Sequence, residues 1–232
     1  MKGRIKLNAE KLKREKKMSR ILVAVLLLVI LILLIFYFVM GIIYNRGNFS
    51  ITLDKNLYFD DGLIIYDDPE YKVYRSELLA PAPDTFDSIS YKWLPDDLGN
   101  AMLGSHNGDN YLAYTFLIEN TGDKAVSYVS RVVIEDVIKN VDEAVRIRIY
   151  KNDEESVTYA KLSATGEAEV GTVPFLEDNL VMEEHVTDFQ PGDINRYTIV
   201  MWIEGTDLEC TDNILGGEFK AHMNFSSDGA ED

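Results

Sequence analysis

The chain of 232 residues is poor in the residue types from which most catalytic and metal centres are built. It contains one cysteine, Cys210, so an intramolecular disulfide is excluded. Its three histidines lie far apart and lack the spacing of zinc ligands: His106, His185 and His222. The sequence also lacks the motifs of phosphate-binding loops, serine hydrolases and zinc proteases. These absences predict a protein that is not an enzyme.

Positive charge is scarce after the N-terminal segment. The chain has 23 basic and 39 acidic residues, and residues 1–43 hold nine of the basic and two of the acidic ones. The rest therefore carries a net charge of about −23. Because a surface this acidic repels nucleic acids and other polyanions, we expect no nucleic-acid partner.

One apolar run dominates the N-terminal part of the chain. Residues 21–43 contain no charged side chain, and Arg20 and Arg46 lie on either side of the run. A helix of that length measures about 34 Å and crosses a hydrocarbon core of about 30 Å. Because basic residues favour the cytoplasmic side, residues 1–20 are predicted as a basic cytoplasmic arm. Residues 21–43 are then a transmembrane signal-anchor helix in membrane lipid, and the C-terminal domain of this single-pass cell-membrane protein is extracellular.

A cleaved secretory signal peptide is the alternative interpretation of the same run. Signal-peptide apolar cores are about 7–15 residues long, and this run is longer. Its end, FVMGI at residues 38–42, also lacks the pair of small residues typical of a cleavage site. Length and pattern therefore favour a retained anchor.

The following chain shows the period-two alternation of β-strands. Apolar residues alternate in five segments: residues 112–119, 126–134, 145–150, 198–203 and 219–225. Turn compositions separate several of them, as at residues 120–123 and 191–193. This pattern predicts an all-β fold, a jelly-roll-like antiparallel β-sandwich over residues 44–225. The polar residues 226–232 are predicted as a disordered acidic tail.

One loop concentrates oxygen ligands. Its four carboxylates lie within nine residues: Glu204, Asp207, Glu209 and Asp212. Calcium prefers several oxygen ligands on a loop, although the spacing is not that of an EF-hand. We therefore predict a weak calcium site here and no other cofactor. A solvated acidic loop without bound metal is the alternative.

Separate predictions concern the two tryptophans and the cysteine. Trp93 and Trp202 together would form a ligand-stacking platform, but Trp202 alternates away from the apolar face of its strand. We expect the proline-containing residues 67–95 to cover it, since a large aromatic side chain usually has a partner. Acidic neighbours oppose ionisation of Cys210, which predicts an inert, partly buried thiol.

Three segments carry a resemblance to a known family. They are YLAYTFLIENTG at residues 111–122, FQPGD at residues 189–193, and WIEG at 202–205 followed by EC at 209–210 and ILGGE at 214–218. Over the part of the chain that begins at Tyr111, the sequence resembles the TasA/camelysin-like surface proteins of Gram-positive bacteria. The resemblance implies a jelly-roll-like sandwich, an extracellular location and a role in, or accessory to, biofilm matrix fibres.

These observations favour a non-enzymatic, membrane-anchored structural or interaction protein at the cell surface, associated with biofilm matrix or envelope. Its expected partners are membrane lipid, further copies of itself, or other surface and matrix proteins. A signal-peptide-cleaved subunit that assembles into fibres by β-strand addition is the first alternative. A cation-dependent hydrolase is disfavoured, because catalysis needs acid, base and polarising groups together and only carboxylates cluster in the sequence.

Overall fold

A computed structural model describes residues 2–44, 49–70, 72, 75–83, 86–152 and 154–227. The chain divides into two compact units, residues 1–46 and residues 47–232. Ser226 and Ser227 belong to the last strand, which corrects the predicted start of the disordered tail. The rest of that predicted tail, residues 228–232, lies outside the described residues.

The first unit is an α-helix. This helix, α1, spans Lys2–Tyr44, so the predicted basic arm and the predicted span form one continuous element. Its segment Lys16–Val39 is long and apolar enough to cross a membrane, and none of that segment is buried. Apolar side chains exposed on every side of a helix need lipid or another apolar surface around them.

In its described part, the second unit contains twelve strands in two sheets. The strands are β1 (Phe49–Leu53), β2 (Leu63–Tyr66), β3 (Glu77–Ala80), β4 (Gly104–Ser105), β5 (Tyr111–Asn120), β6 (Val126–Ile138), β7 (Val145–Lys151), β8 (Val157–Ala160), β9 (Val173–Pro174), β10 (Leu180–Phe189), β11 (Ile194–Ile203) and β12 (Glu218–Ser227). Sheet A has the order β10-β6-β12-β1-β3, and sheet B has the order β2-β5-β11-β7-β8-β9 with β4 beside β5. The helical elements are short: α2 (Lys55–Phe59) and the 3-10 turns Tyr91–Trp93, Leu98–Asn100, Val141–Glu143 and Asp212–Ile214.

The two sheets pack face to face around one apolar core. At its centre, the ring of Phe225 in β12 lies 5.9 Å from that of Phe116 in β5 and 5.6 Å from that of Tyr197 in β11. Ile147 of β7 and Met223 of β12 are also completely buried. The five strand segments predicted from alternation are β5, β6, β7, β11 and β12. A β-rich protein with an N-terminal apolar helix is therefore confirmed.

Both sheets are mixed, which corrects the prediction of purely antiparallel pairing. β1 pairs in parallel with β12, with Phe49 opposite Ala221, and β8 pairs in parallel with β9. Neither pair is joined by a hairpin. Because β1 and β12 are distant in sequence, no tight turn forces them to run in opposite directions.

The strand directions give this unit two ends, and we call the end at which β1 begins the near end. β12 also begins there, β6 ends there with Val137 opposite Phe219, and the backbone N–H of Glu204 after β11 donates to the carbonyl of Ala144 before β7. Three long connections leave the sheets at the near end and return to them there: residues 81–110, 161–179 and 204–217. The near end therefore contains the acidic loop of the predicted calcium site.

Candidate functional site

The four predicted calcium ligands do not converge on one point. Glu204 and Asp207 are buried, Glu209 is half-buried and Asp212 is exposed. Carboxylate oxygens of Asp207 and Glu209 lie within 4.8 Å of each other and of one from Glu169. Two predicted ligands therefore come together with a third carboxylate, from the connection between β8 and β10, that the sequence analysis missed.

A buried arginine already lies in this carboxylate cluster. Nη2 of Arg146, on β7, pairs with Oδ2 of Asp207 and lies 3.4 Å from Oε2 of Glu169. The Arg146 side chain is 4% exposed and that of Asp207 is fully buried. In residues 145–150 the apolar Val145 and Ile147 alternate with Arg146, a pattern that predicts an arginine in solvent. That prediction is wrong for Arg146. It lies on the outer face of sheet B, where residues of the connections after β8 and β11 meet it.

The surroundings shift the pKa values of two of these carboxylates in opposite directions. Burial raises the pKa of Asp207, but hydrogen bonds with the side chain and backbone of Glu209, together with the Arg146 guanidinium, lower the pKa below its usual value. One of those bonds runs from the Glu209 N–H to Oδ1 of Asp207 at 2.8 Å. Burial and the charge of Asp207 raise the pKa of Glu169. Asp207 is thus the fixed anion that balances Arg146.

Both carboxylate oxygens of Glu204 accept hydrogen bonds from protein groups. Its Oε2 accepts hydrogen bonds from Nε1 of Trp202 at 3.0 Å and from the backbone N–H of Tyr91 at 2.9 Å. Its Oε1 accepts from the hydroxyl of Thr206 at 2.6 Å. These bonds join the end of β11 to residues 81–110, so Glu204 has a structural role that the sequence did not indicate.

The calcium site stays a prediction, and the geometry sharpens its test. Of the predicted ligands, Glu209 and Asp212 are the two that are not buried. Calcium at about millimolar concentration should raise the melting temperature saturably, since a bound ion stabilises the folded state by mass action. Glu209→Gln combined with Asp212→Asn should remove this rise. Calorimetry with calcium, magnesium and sodium chloride at equal ionic strength measures it.

Two results would contradict the calcium prediction. One is a rise in melting temperature that follows ionic strength alone, because screening needs no site. The other is a saturable rise that persists in the double variant, because the ion would then be bound elsewhere.

The two tryptophans do not form a common platform. Trp202 is 2% exposed on the outer face of sheet B, where it packs with Ile89 and Leu94. Its predicted covering by residues 67–95 is therefore confirmed. Trp93, on the 3-10 turn Tyr91–Trp93, is 73% exposed. A stacking platform built from both rings is excluded in this conformation.

The cysteine and the histidines take no part in the carboxylate cluster. Cys210 is half-buried against the core, which confirms the predicted partial burial of its thiol. The histidines contact different groups: His185 contacts Glu183, His222 contacts Glu135, and His106 contacts the carbonyl of Gly104.

Comparison with known proteins gives one weak structural similarity to report. No family model matches the chain, and no curated protein matches it significantly. A solved structure described as "AvmM Catalyzes Macrocyclization in Alchivemycin A Biosynthesis" is 8% identical to it, over 53% of this chain and 83% of that one, with a TM-score of 0.21. A similarity of this size supports no argument about fold or activity, so function is argued from the residues of this chain.

Proposed function

We propose that the chain is a single-pass membrane protein whose β-unit acts outside the cytoplasm as a non-enzymatic structural or interaction module. The proposed setting is the matrix or envelope of a Gram-positive cell, by resemblance to TasA/camelysin-like proteins. The observation that carries the proposal is the exposed apolar segment Lys16–Val39, followed closely by a β-unit with its own core. The nine basic residues that precede the span support a cytoplasmic N-terminus.

The strand order supports the jelly-roll part of this proposal. When the eight strands of a jelly roll are numbered along the chain, its sheets have the orders 1-8-3-6 and 2-7-4-5. Taking β1, β5, β6, β7, β8, β10, β11 and β12 as strands 1 to 8, sheet A contains 1-8-3-6 and sheet B contains 2-7-4-5. β1 departs from that fold by running parallel to β12. The other four strands lie beside these eight as additions.

The fibre-forming alternative requires cleavage after the span and a strand free for a neighbouring molecule. The first strand after the span, β1, lies between β12 and β3 of its own sheet. Phe49 and Ile51 on this strand are completely buried. To be donated to a neighbour, β1 would first have to leave this position, which exposes both side chains at about 2 kcal/mol for each until the neighbour buries them. In the described conformation β1 is not a free strand, which favours the anchored form over strand donation.

The proposal predicts a defined membrane topology. In protoplasts that express the chain with a tag at each end, external protease should digest the C-terminal tag and leave the N-terminal tag intact. The intact mass of the mature protein should include residues 1–43. As a control, Leu28→Arg with Leu31→Arg should impair insertion, because each arginine costs about 2.5–3.5 kcal/mol at the centre of a span. A protected C-terminal tag, or a mature N-terminus near residue 42, would refute the anchor.

A further inference from the structure

Residues 97–108, which we call the cover segment, pack on the outer face of sheet B and pair with its strand β5 through β4. Leu98 is 3% exposed and belongs to one apolar cluster with Ala113 of β5. Gly99 lies so close to Tyr150 of β7 that a Cβ added to it would be 2.6 Å from the ring. The backbone of the cover segment is therefore fitted closely to the sheet.

An arginine of the sheet holds the first half of the cover segment. Arg196, on β11, donates from Nε to the carbonyl of Gly99 at 3.3 Å and from Nη2 to the carbonyl of Ala101. Both carbonyls belong to the cover segment. A positive charge is therefore already part of the contact between this segment and sheet B.

A histidine with a buried ring nitrogen lies in the second half of the cover segment. Nδ1 of His106 lies 3.1 Å from the carbonyl oxygen of Gly104, and its backbone N–H donates to the carbonyl of Ala113 at 2.9 Å. Because a carbonyl oxygen only accepts, Nδ1 carries the proton and Nε2 of the neutral ring is an acceptor. Nε2 is buried and has no hydrogen-bond partner among the described residues. Protonation would place a buried N–H there without a protein acceptor.

The surroundings of His106 favour its neutral form. Burial lowers the pKa of His106 from its usual value of 6.5, and the charge of Arg196 lowers it further, whereas the hydrogen bond with the Gly104 carbonyl opposes the shift. A protonated His106 would thus add a second positive charge beside Arg196 in the contact of the cover segment with the sheet.

The other charged groups around the cover segment do not offset this effect. Its acidic neighbours are exposed to solvent: Asp96, Asp97 and Asp109. On the strands below it, Glu119 of β5 pairs with Lys72, and Arg148 of β7 donates to Thr158. In the described part of the chain, Arg196 is therefore the one charged side chain that changes the pKa of His106.

We propose that the cover segment is an acid-sensitive latch, which protonation of His106 releases from sheet B so that the apolar residues Ala113 and Val200 become accessible. In the released segment the imidazole is in water and binds a proton below about pH 6.5. In the bound segment it stays neutral to a lower pH. The released form therefore gains population as the pH falls through 6.5, because it binds more protons. The inference does not depend on the membrane anchoring proposed above.

Amide hydrogen exchange of the full-length chain in detergent micelles, followed by mass spectrometry, tests the latch. After correction for the intrinsic rate, exchange of the cover segment should rise about fivefold between about pH 7 and about pH 5, since one additional proton favours the released form. Exchange in β12 should not change. His106→Asn keeps an amide N–H donor near the position of Nδ1 but cannot be protonated, so it should abolish the rise. His222→Asn replaces a histidine of sheet A and should leave the rise intact.

A second measurement does not require His106→Asn to fold. The imidazole resonances of histidine-labelled protein are followed by NMR against pH, and His185→Asn and His222→Asn assign His106 by elimination. His106 should titrate below pH 6.5. A titration at or above that value overturns the latch, and so does an exchange rise that persists in His106→Asn. Constant exchange of the cover segment, or a rise of equal size in β12, also overturns it, because the segment would then not be released by itself.

Discussion

Replacing Arg146 by alanine is expected to lower the free energy of unfolding of the β-unit by about 3–5 kcal/mol. The guanidinium is the partner of the fully buried Asp207 carboxylate. Its removal leaves an uncompensated charge in the interior, and the neighbouring Glu169 adds repulsion because it is acidic. Denaturant unfolding, followed by the fluorescence of the buried Trp202, measures the loss.

Two variants control for the loss of side-chain volume. Arg146→Met with Asp207→Leu should recover most of the stability, because no buried charge is left unpaired. Arg148→Met removes an arginine two residues along the same strand. The half-buried Arg148 donates to Oγ1 of Thr158 at 2.8 Å and lies over the ring of Trp202, so its loss should cost about 1 kcal/mol. Equal losses for Arg146→Ala and Arg148→Met would contradict the special role of the buried pair.

The dependence of stability on pH provides an independent measurement of the pair of Arg146 and Asp207. The pKa of Asp207 is lower in the folded protein than its usual value of 3.8. Its contribution to stability is therefore complete above that value and is lost as the pH falls through the lowered folded-state pKa. The Arg146→Met, Asp207→Leu variant should lack this part of the acid dependence.

Sequence alternation predicts strands only where one face is buried and the other is not. β5 and β12 show it, since inward Phe116, Ile118, Met223 and Phe225 alternate with less apolar or less buried positions. β2 is buried at all four positions and so has no alternation to find. β10 lies at the edge of sheet A and exposes much of its length, which obscures its pattern.

The short helix α2 shows a different limit. Asp54 caps it by accepting a hydrogen bond from the N–H of Asn56 at 2.7 Å, which is a recognisable sequence signal. The helix has five residues, and Leu57 is its one buried side chain. Such an element has no periodic apolar face, so its cap alone did not identify it.

The carboxylate cluster was predictable only in part. The sequence indicated that Asp207 and Glu209 lie close together, because they are two positions apart on one loop. It did not indicate Arg146 or Glu169, which lie on other elements and meet Asp207 only when the long connections fold over sheet B. A charged residue on the outer face of a strand suggests solvent, unless the connections that cover that face are known. The positive charge beside these carboxylates is thus that of Arg146, which the alternation pattern had predicted to face solvent.

Replacing Met223 by aspartate is expected to unfold the β-unit. Met223 is completely buried in β12, between Val132 of β6 and Ile51 of β1. An unpaired carboxylate at this site costs several kcal/mol, which is comparable to the total stability of about 5–15 kcal/mol of a typical domain.

The matched control for Met223→Asp is Lys220→Gln on the same strand. Lys220 is half-buried and lies opposite Asp136, so its replacement should change stability by about 0.5 kcal/mol or less. Thermal unfolding in detergent, followed by circular dichroism, compares the two variants. Because α1 forms its own unit, its helical signal should persist when the β-unit has lost its structure. Because the anchor needs only the helix, Met223→Asp should still float with vesicles while its Trp202 becomes accessible to acrylamide. A melting temperature lowered equally by Met223→Asp and Lys220→Gln would show that the faces of β12 are assigned wrongly.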